Sequence, residues 1–190
     1  MADTDRCYSI IYADPPWDSN SQFGRDKRKG STQHYPLLSL DRIKSLDVAS
    51  AASDDCVLFL WAVDAQLPGA LDVIDAWGFK YKTVAFNWVK ETSTGKDHFG
   101  VGMWTRKNPE LCLLATRGKP RRESAAVRQL QRHRIREHSR KPDEIRDEIV
   151  RLCGDLPRLD MFARTSAPGW ATWGNETTKF KTKRRRRRYA

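Results

Sequence analysis

Short apolar runs alternate along this chain with segments whose apolar residues recur every three or four positions. The runs are brief and rich in β-branched or aromatic residues, so they predict strands rather than helices. Strands are predicted over residues 8–13, 56–63, 79–90, 109–116, 158–163 and 170–173. The first of these strands ends where two consecutive prolines, Pro15 and Pro16, stop regular pairing.

The segments with helical spacing predict helices over residues 39–52, 64–77 and 142–153. Ser39 is placed to cap the first helix, Gly78 to end the second, and Pro142 to occupy the first turn of the third. Residues 127–136 fit a strand as well as a helix. Polar stretches at 18–33 and 92–108 predict loops, the first of them a mobile one.

Alternating apolar strands and amphipathic helices predict an α/β fold, with a mostly parallel sheet covered by helices on both faces. Ligands bind such sheets beyond the carboxyl ends of the strands. Two segments follow predicted strands in this way, residues 14–17 and residues 164–166. These are the first places to search for functional residues.

The charge of the chain is high and unevenly spread. The net charge is +11, and charged residues make up 31% of the sequence against 39% for apolar ones. Residues 179–188 hold eight basic residues without an acid, and residues 117–141 hold ten basic residues against two acids, which leaves the rest net acidic. Such asymmetry favours a polyanionic partner such as nucleic acid, although a solubilising tail is the plainer interpretation.

Other features exclude several classes of protein. No apolar run is long enough to span a membrane, and residues 8–13 are too short and lack the cationic lead-in of a signal peptide, so we expect a cytoplasmic protein. The cysteines, Cys7, Cys56, Cys112 and Cys153, have spacings that match neither a zinc nor a redox motif. We expect buried, reduced thiols and no metal.

The tetrapeptide Asp14-Pro15-Pro16-Trp17 suggests a pocket for an amino-substituted base. Prolines fix the backbone and donate no N–H, so this segment offers a carboxylate and rigid carbonyls that can only accept hydrogen bonds. An exocyclic amine provides the two matching donors, and Trp17 provides a flat face for an aromatic ring. The plainer alternative is a strand terminator beside a buried tryptophan.

The sequence resembles the adenine-N6 methyltransferase family named for the seventy-kilodalton subunit of mRNA adenosine methyltransferase, and most closely its short bacterial and phage members, which methylate DNA. The similarity is colinear over residues 8–178. It is carried by Ala13-Asp-Pro-Pro-Trp17, Leu58-Phe-Leu-Trp61, Trp77-Gly-Phe79, Trp88-Val-Lys90, Gly102-Met-Trp-Thr-Arg-Lys-Asn-Pro-Glu-Leu-Cys-Leu113, His138-Ser-Arg-Lys-Pro-Asp-Glu-Ile145, Leu159-Asp-Met-Phe-Ala-Arg164 and Gly169-Trp-Ala-Thr-Trp-Gly-Asn-Glu176.

The resemblance implies a Rossmann-like fold with circularly permuted motif order and S-adenosylmethionine as cofactor. It implies that Asp14, Lys141, Arg164 and Asn175 bind the cofactor, with Lys141 on the methionine carboxylate. Some relatives carry His-Asn after the arginine, where this chain has Thr165-Ser166, and an acidic cofactor contact found upstream of the first strand has no counterpart here. The plainer interpretations are a surface lysine, a salt-bridging arginine and a turn asparagine.

The resemblance also implies residues that contact the substrate. It implies that the catalytic residues are Asp14, Pro15, Pro16 and Trp17. It implies that the target adenine is bound by Trp17, Tyr35, Trp104 and Asn108, and that Tyr35 belongs to a loop that closes over the adenine. A solvated loop is the alternative for Trp104 and Asn108.

We therefore expect residues 1–178 to form a methyltransferase domain and residues 179–190 a disordered basic tail. The expected activity is methylation of the N6 amine of adenine in DNA. The same chemistry on RNA, a non-catalytic nucleic-acid-binding subunit and a plain basic binding module are the alternatives.

Overall fold

The structure, a computed structural model, describes residues 7–18, 37–102, 104–137 and 140–174. Within them the chain forms a seven-stranded sheet and three α-helices. The strands are β1 (Tyr8–Ala13), β2 (Ala52–Ala62), β3 (Lys80–Glu91), β4 (Glu110–Arg117), β5 (Leu130–Arg134), β6 (Arg158–Met161) and β7 (Ala171–Trp173). The helices are α1 (Leu40–Lys44), α2 (Leu67–Ala76) and α3 (Glu144–Cys153).

The sheet has the strand order β5-β3-β4-β2-β1-β6-β7. Strand β1 pairs in parallel with β2 and β6, and the outer pairs β6–β7 and β3–β5 are also parallel. Strand β4 alone among the described strands runs antiparallel to its neighbours, β2 and β3. The prediction of a mostly parallel α/β sheet is therefore confirmed, and β4 begins at the edge where β1 ends.

Helices cover both faces of the sheet, as predicted. Successive side chains of β1 point to opposite faces, so Ile11 packs in one apolar cluster with Ile43 of α1 and Ile74 of α2. Ile10 packs in the other cluster with Ile145 of α3. Because both faces of β1 are buried, the strand that carries the Asp-Pro-Pro-Trp segment is held firmly in the core.

The first helix is much shorter than the predicted 39–52. Ser39 is its N-cap, as predicted, since its Oγ accepts from the Arg42 amide at 3.3 Å. The helix stops at Ser45, and Asp47 then binds both the amide and the hydroxyl of Ser50, at 3.1 Å each. Such local side-chain bonds compete with a helix and explain why it ends early.

Several other predictions are confirmed with small shifts of their boundaries. The predicted helix 64–77 begins as a 3-10 turn, Asp64–Gln66, and ends before Gly78, whose φ is 79°. The ambiguous segment 127–136 contains a strand, β5. Helix α3 has Asp143 as its N-cap, so Pro142 precedes the helix and does not lie in its first turn.

The cysteines are free; Cys56, Cys112 and Cys153 are buried, but Cys7 is exposed, which corrects the expectation for that residue. Among the described helices, none is long and apolar enough to cross a membrane. Nearly all of the predicted loop 18–33 and the basic tail 179–190 lie outside the described residues.

Candidate active site

The chain bends sharply where β1 ends, and backbone hydrogen bonds fix the bend. The Pro15 carbonyl accepts from the Trp17 amide at 2.9 Å, and the Pro16 carbonyl accepts from the Leu38 amide at 3.0 Å. The sequence predicts these carbonyls as bare acceptors for a ligand, but each already has one backbone donor. A carbonyl oxygen has two lone pairs, so each retains the capacity for one further bond.

Trp17 is a core residue in this structure. Its side chain is 6% exposed and belongs to the apolar cluster under α1 and α2. Its indole Nε1 donates to the Trp61 carbonyl at 2.9 Å, across from the neighbouring strand β2. The ring therefore presents no open face to a base, and its role in this conformation is to hold the bend that carries Asp14.

The ammonium group of Lys141 joins two carboxylates at the end of β1. Its Nζ donates to both oxygens of Asp14 at 2.8 Å and lies 3.3 Å from an oxygen of Glu110. It also lies over the Trp61 ring, 5.3 Å from the centroid. The Lys141 side chain is 13% exposed, so these partners replace most of its hydration. The arrangement is a compact, charged triangle, of which Asp14 and Lys141 also line a cleft.

Glu110 is a site residue that the sequence analysis missed. It starts β4 and forms a second ion pair with Lys90, at 2.5 Å. A parallel β4 would have placed Glu110 at the opposite edge of the sheet from Asp14. The antiparallel direction of β4 brings it to the same edge, and the residue pattern of one strand carries no signal of that direction.

The pKa values of the two carboxylates in the triangle are shifted in opposite directions. Burial raises the pKa of Asp14 above its ordinary value, Lys141 opposes that rise, and Glu110 adds to it. Burial also acts to raise the pKa of Glu110, but Lys141 and Lys90 outweigh it and lower that pKa to about 2. Glu110 is thus a fixed anion, and Asp14 is the group with the higher proton affinity.

A second charged pair supports the site from the opposite side of Asp14. Arg146 of α3 donates to one oxygen of Asp160 in β6 through Nε at 2.9 Å and through its terminal nitrogen at 2.6 Å. Its guanidinium also lies over the Tyr12 ring, at 5.8 Å, and the Tyr12 hydroxyl accepts from the Trp61 indole at 2.8 Å. Burial raises the pKa of Asp160 to about 6 even though Arg146 lowers it.

A cleft open to solvent runs between these pairs and the end of β6. Asp14, Lys141, Asp160 and Arg164 are among its lining residues, so it offers cations and carboxylates side by side. This donor set fits a ligand that carries a carboxylate, an ammonium and ribose hydroxyls, as S-adenosylmethionine does. Phe162, at the mouth of the cleft, has a φ of 61°, which is unusual for a residue with a side chain and turns the backbone toward Arg164.

Asn108 lies inside the protein, 9% exposed, and holds the ends of its loop together. Its Nδ2 donates to the His98 carbonyl at 2.7 Å and to the Lys90 carbonyl at 3.2 Å, while its Oδ1 accepts from the Lys90 amide at 3.2 Å. Both Nδ2 hydrogens are used by these bonds and Oδ1 accepts one, so in this conformation the side chain joins the ends of the loop, and its contact with a base stays a prediction.

Trp104, in the same loop, is 99% exposed and is not among the residues that line the cleft. Two further predicted site residues, Tyr35 and Asn175, lie outside the described residues. Within the described part of the chain, no group of three or more histidine, cysteine, aspartate or glutamate side chains is arranged to hold a metal.

A mostly parallel sheet with a charged cleft beyond its carboxyl ends is the arrangement of a Rossmann-like methyltransferase. The sequence profile of the MT-A70 family matches residues 8–176, and the chain belongs to that family.

Three relatives illustrate the range of the family. The Type II methyltransferase M.MunI of Mycoplasma sp is 34% identical over 186 residues, covering 89% of this chain and 77% of that protein. An Arabidopsis thaliana protein, N(6)-adenosine-methyltransferase MT-A70-like, is 27% identical over 177 residues, covering 89% and 24%. The human N(6)-adenosine-methyltransferase catalytic subunit METTL3 is 26% identical over 178 residues, covering 89% and 28%. The chain thus spans about a quarter of the length of the two eukaryotic relatives.

Proposed function

We propose that this protein transfers the methyl group of S-adenosylmethionine to the N6 amine of adenine in DNA. The observation that carries the proposal is the triangle of Asp14, Lys141 and Glu110 at the carboxyl end of β1. It places a carboxylate of raised proton affinity beside a rigid bend of acceptor groups. The names of the relatives support the same chemistry, since two of them are N(6)-adenosine methyltransferases.

Asp14 is proposed to act on the amine directly. The lone pair of an adenine amine is delocalised into the ring, so the nitrogen is a poor nucleophile. Asp14 and the remaining lone pair of the Pro15 carbonyl would accept its two N–H bonds and favour a pyramidal nitrogen whose lone pair points at the methyl group. Positioning and electrostatics then provide most of the catalysis.

No strong base is required before the transfer, because the amine becomes acidic only after it has gained the methyl group. Burial raises the pKa of Asp14, so this carboxylate is suited to receive the proton that then leaves the nitrogen. Glu110, which remains ionised, keeps Lys141 charged and in place beside Asp14.

S-Adenosylmethionine supplies an electrophilic methyl group on a positively charged sulfur. The residues proposed to hold it are Asp14, Lys141 and Arg164 in the cleft, and Asn175 beyond the described residues. Asp160 joins them as a carboxylate that Arg146 orients toward the same cleft.

DNA is proposed as the substrate because the motifs resemble those of the short bacterial members of the family and because the chain is 34% identical to M.MunI and covers 77% of its length, against about a quarter of the eukaryotic relatives. The basic residues of 117–141 and 179–188 are available to bind phosphates, and a target adenine within a duplex has to leave the base stack to reach Asp14. We also propose that the protein is cytoplasmic and of bacterial or phage type. RNA is the second candidate, favoured by the eukaryotic relatives.

The deciding experiment supplies methyl-labelled S-adenosylmethionine with separate DNA and RNA pools. The pools are then digested to nucleosides and separated by mass. Labelled N6-methyldeoxyadenosine is expected from DNA, and it should be absent with Asp14→Asn. Label only in N6-methyladenosine would assign the activity to RNA, and cofactor binding without label in either pool would favour a non-catalytic subunit.

A further inference from the structure

The loop before β4 exposes three apolar side chains to solvent. Trp104 is 99% exposed, Val101 is 84% exposed and Phe99 is 55% exposed. Large aromatic side chains are usually buried for the most part, so a tryptophan that is almost fully exposed is a strong indication of a contact with another molecule.

The base of this loop is fixed by hydrogen bonds rather than left slack. Asn108 joins its two ends through the His98 carbonyl and the Lys90 backbone. Lys107, next to Asn108, forms an ion pair with Asp64 at 3.2 Å. The loop is therefore anchored to the sheet edge at which Asp14 and Glu110 lie.

The tip of the loop is also built tightly. The Gly100 amide donates to the Lys107 carbonyl at 2.6 Å, and the Arg106 Nε donates to the Gly100 carbonyl at 3.0 Å. A Cβ added to Gly102 would lie only 1.8 Å from the Thr105 carbonyl oxygen, so the turn requires glycine there. Because the turn is preformed, Trp104 is presented outward at little further cost in conformational entropy.

The exposed tryptophan stands close to the proposed reaction site along the chain. Trp104 and Glu110 are six positions apart in the sequence, so their Cα atoms are at most about 20 Å apart. Lys107, whose carbonyl accepts from the Gly100 amide across the loop, is only three positions from Glu110. A molecule that touches the tip of the loop is thus within reach of the cleft.

The surroundings of the tip are cationic. Arg106, two positions from Trp104, is exposed, and the exposed Arg134 lies on the edge strand β5, which pairs with β3 next to the loop. Arg132, on the same strand, forms an ion pair with Asp97 of the loop at 3.0 Å. An aromatic side chain flanked by arginines suits a partner with stacked rings and phosphates better than the apolar face of another protein. Nucleic acid is the partner that combines the two.

From this arrangement we propose that Trp104 is a wedge. It inserts into the base stack of duplex DNA beside the target adenine and occupies the space that the base leaves when it turns into the cleft. The inference rests on the proposed function and deepens it, since it names double-stranded DNA as the substrate form. It assigns Trp104 to opening the duplex, in place of the base pocket.

The test compares wild type with Trp104→Ala on one target sequence in three forms: a normal duplex, the single strand, and a duplex with an abasic site opposite the adenine. Thr105→Ala, a neighbouring exposed residue whose carbonyl is unchanged, is the matched control, and Trp104→Phe keeps an aromatic ring. We expect kcat/KM of Trp104→Ala to fall at least tenfold on the duplex, less than twofold on the single strand and less on the abasic duplex than on the normal one. Trp104→Phe should restore most of the loss, and Thr105→Ala should behave as wild type.

A second measurement follows the base itself. With 2-aminopurine at the target position, wild type should raise its fluorescence on binding, and Trp104→Ala should raise it much less at saturation. An equal loss of activity on all three DNA forms would overturn the wedge and return Trp104 to the base pocket. Unchanged activity on the duplex would overturn it as well, as would a loss that tracks a change in oligomeric state, which would identify the loop as a protein contact. A wild-type protein that modifies no duplex DNA would overturn the proposed substrate together with the wedge.

Discussion

Lys141 donates to both carboxylate oxygens of Asp14 at 2.8 Å, although 127 positions separate the two residues in the sequence. The bond joins the residue that follows β1 to the segment that leads into α3. Two parts of the chain that are far apart in the sequence therefore meet at one charged contact. It also links the two functions proposed for the cleft, since we propose that Asp14 acts on the amine and that Lys141 binds the cofactor.

Asp14→Asn should separate catalysis from binding. The amide keeps the volume of the carboxylate but loses the negative charge and the ability to take up a proton, so turnover should fall at least a hundredfold. The affinity for S-adenosylmethionine, measured by calorimetry, should fall much less. Turnover close to that of wild type would show that the residue has no catalytic role.

Lys141→Met should weaken cofactor binding and also disturb the two acids. Loss of one charge-assisted bond is worth roughly 1.5–3 kcal/mol, so the dissociation constant should rise about ten- to a hundredfold. Without the ammonium, Asp14 and Glu110 repel each other, so their pKa values should rise and the acid limb of the pH–rate profile should move to higher pH. Calorimetry with unchanged affinity would remove Lys141 from the cofactor site.

Glu110→Gln should change the free energy of unfolding by an amount that depends on pH in the acid range. The pKa of Glu110 is lowered to about 2 in the folded protein, so its charge stabilises the fold above the unfolded value of 4.5 and loses this effect as the pH falls through 2. The variant should be less stable than wild type at neutral pH by up to about 3 kcal/mol. Denaturant titrations from pH 7 to pH 2 should show that difference shrinking, whereas a constant difference would mean that Glu110 acts by packing alone.

Asn108→Ala should cost stability because the side chain is buried and bonded at both of its polar atoms. The partly buried Lys90 amide and His98 carbonyl would lose this partner, at about 1–3 kcal/mol for each group left unsatisfied, while the Lys90 carbonyl would keep the His98 amide as a donor. The free energy of unfolding should therefore fall by about 2–4 kcal/mol. Trp104→Ala, in the same loop but fully exposed, should leave that free energy within about 0.5 kcal/mol of wild type and is the control.

The central strands β1 and β2 could be predicted because they are buried for most of their length and contain continuous apolar runs. Residues 8–13 are an example, since the predicted strand coincides with β1. The direction of β4 could not be predicted, because an apolar strand looks the same whether its neighbours run parallel or antiparallel. The unknown direction of β4 changed little in the predicted fold. It prevented the prediction of Glu110 as a site residue, because the place of Glu110 at the site depends on that direction.

The site residues divide in a similar way. Asp14, Lys141 and Arg164 were predicted from motifs and do line one cleft. Trp17 was predicted from its residue type and motif, and Trp104 and Asn108 from the resemblance to the family. The three lie in different settings: in the core, exposed on a loop, and buried at the base of that loop. A sequence shows that an indole or an amide is present, but its partner is set by tertiary packing, as the bond from Trp17 to Trp61 illustrates.

The bond between the Pro16 carbonyl and the Leu38 amide has a consequence for sequence variation. It joins two positions of the chain at the bend, so the stretch between Asp18 and Leu38 begins and ends at the same place in the structure. The bonds that hold the bend are made by Pro15, Pro16, Trp17 and Leu38, all outside that stretch. A change of length or sequence between these two anchors should therefore leave the bend and the position of Asp14 unaltered.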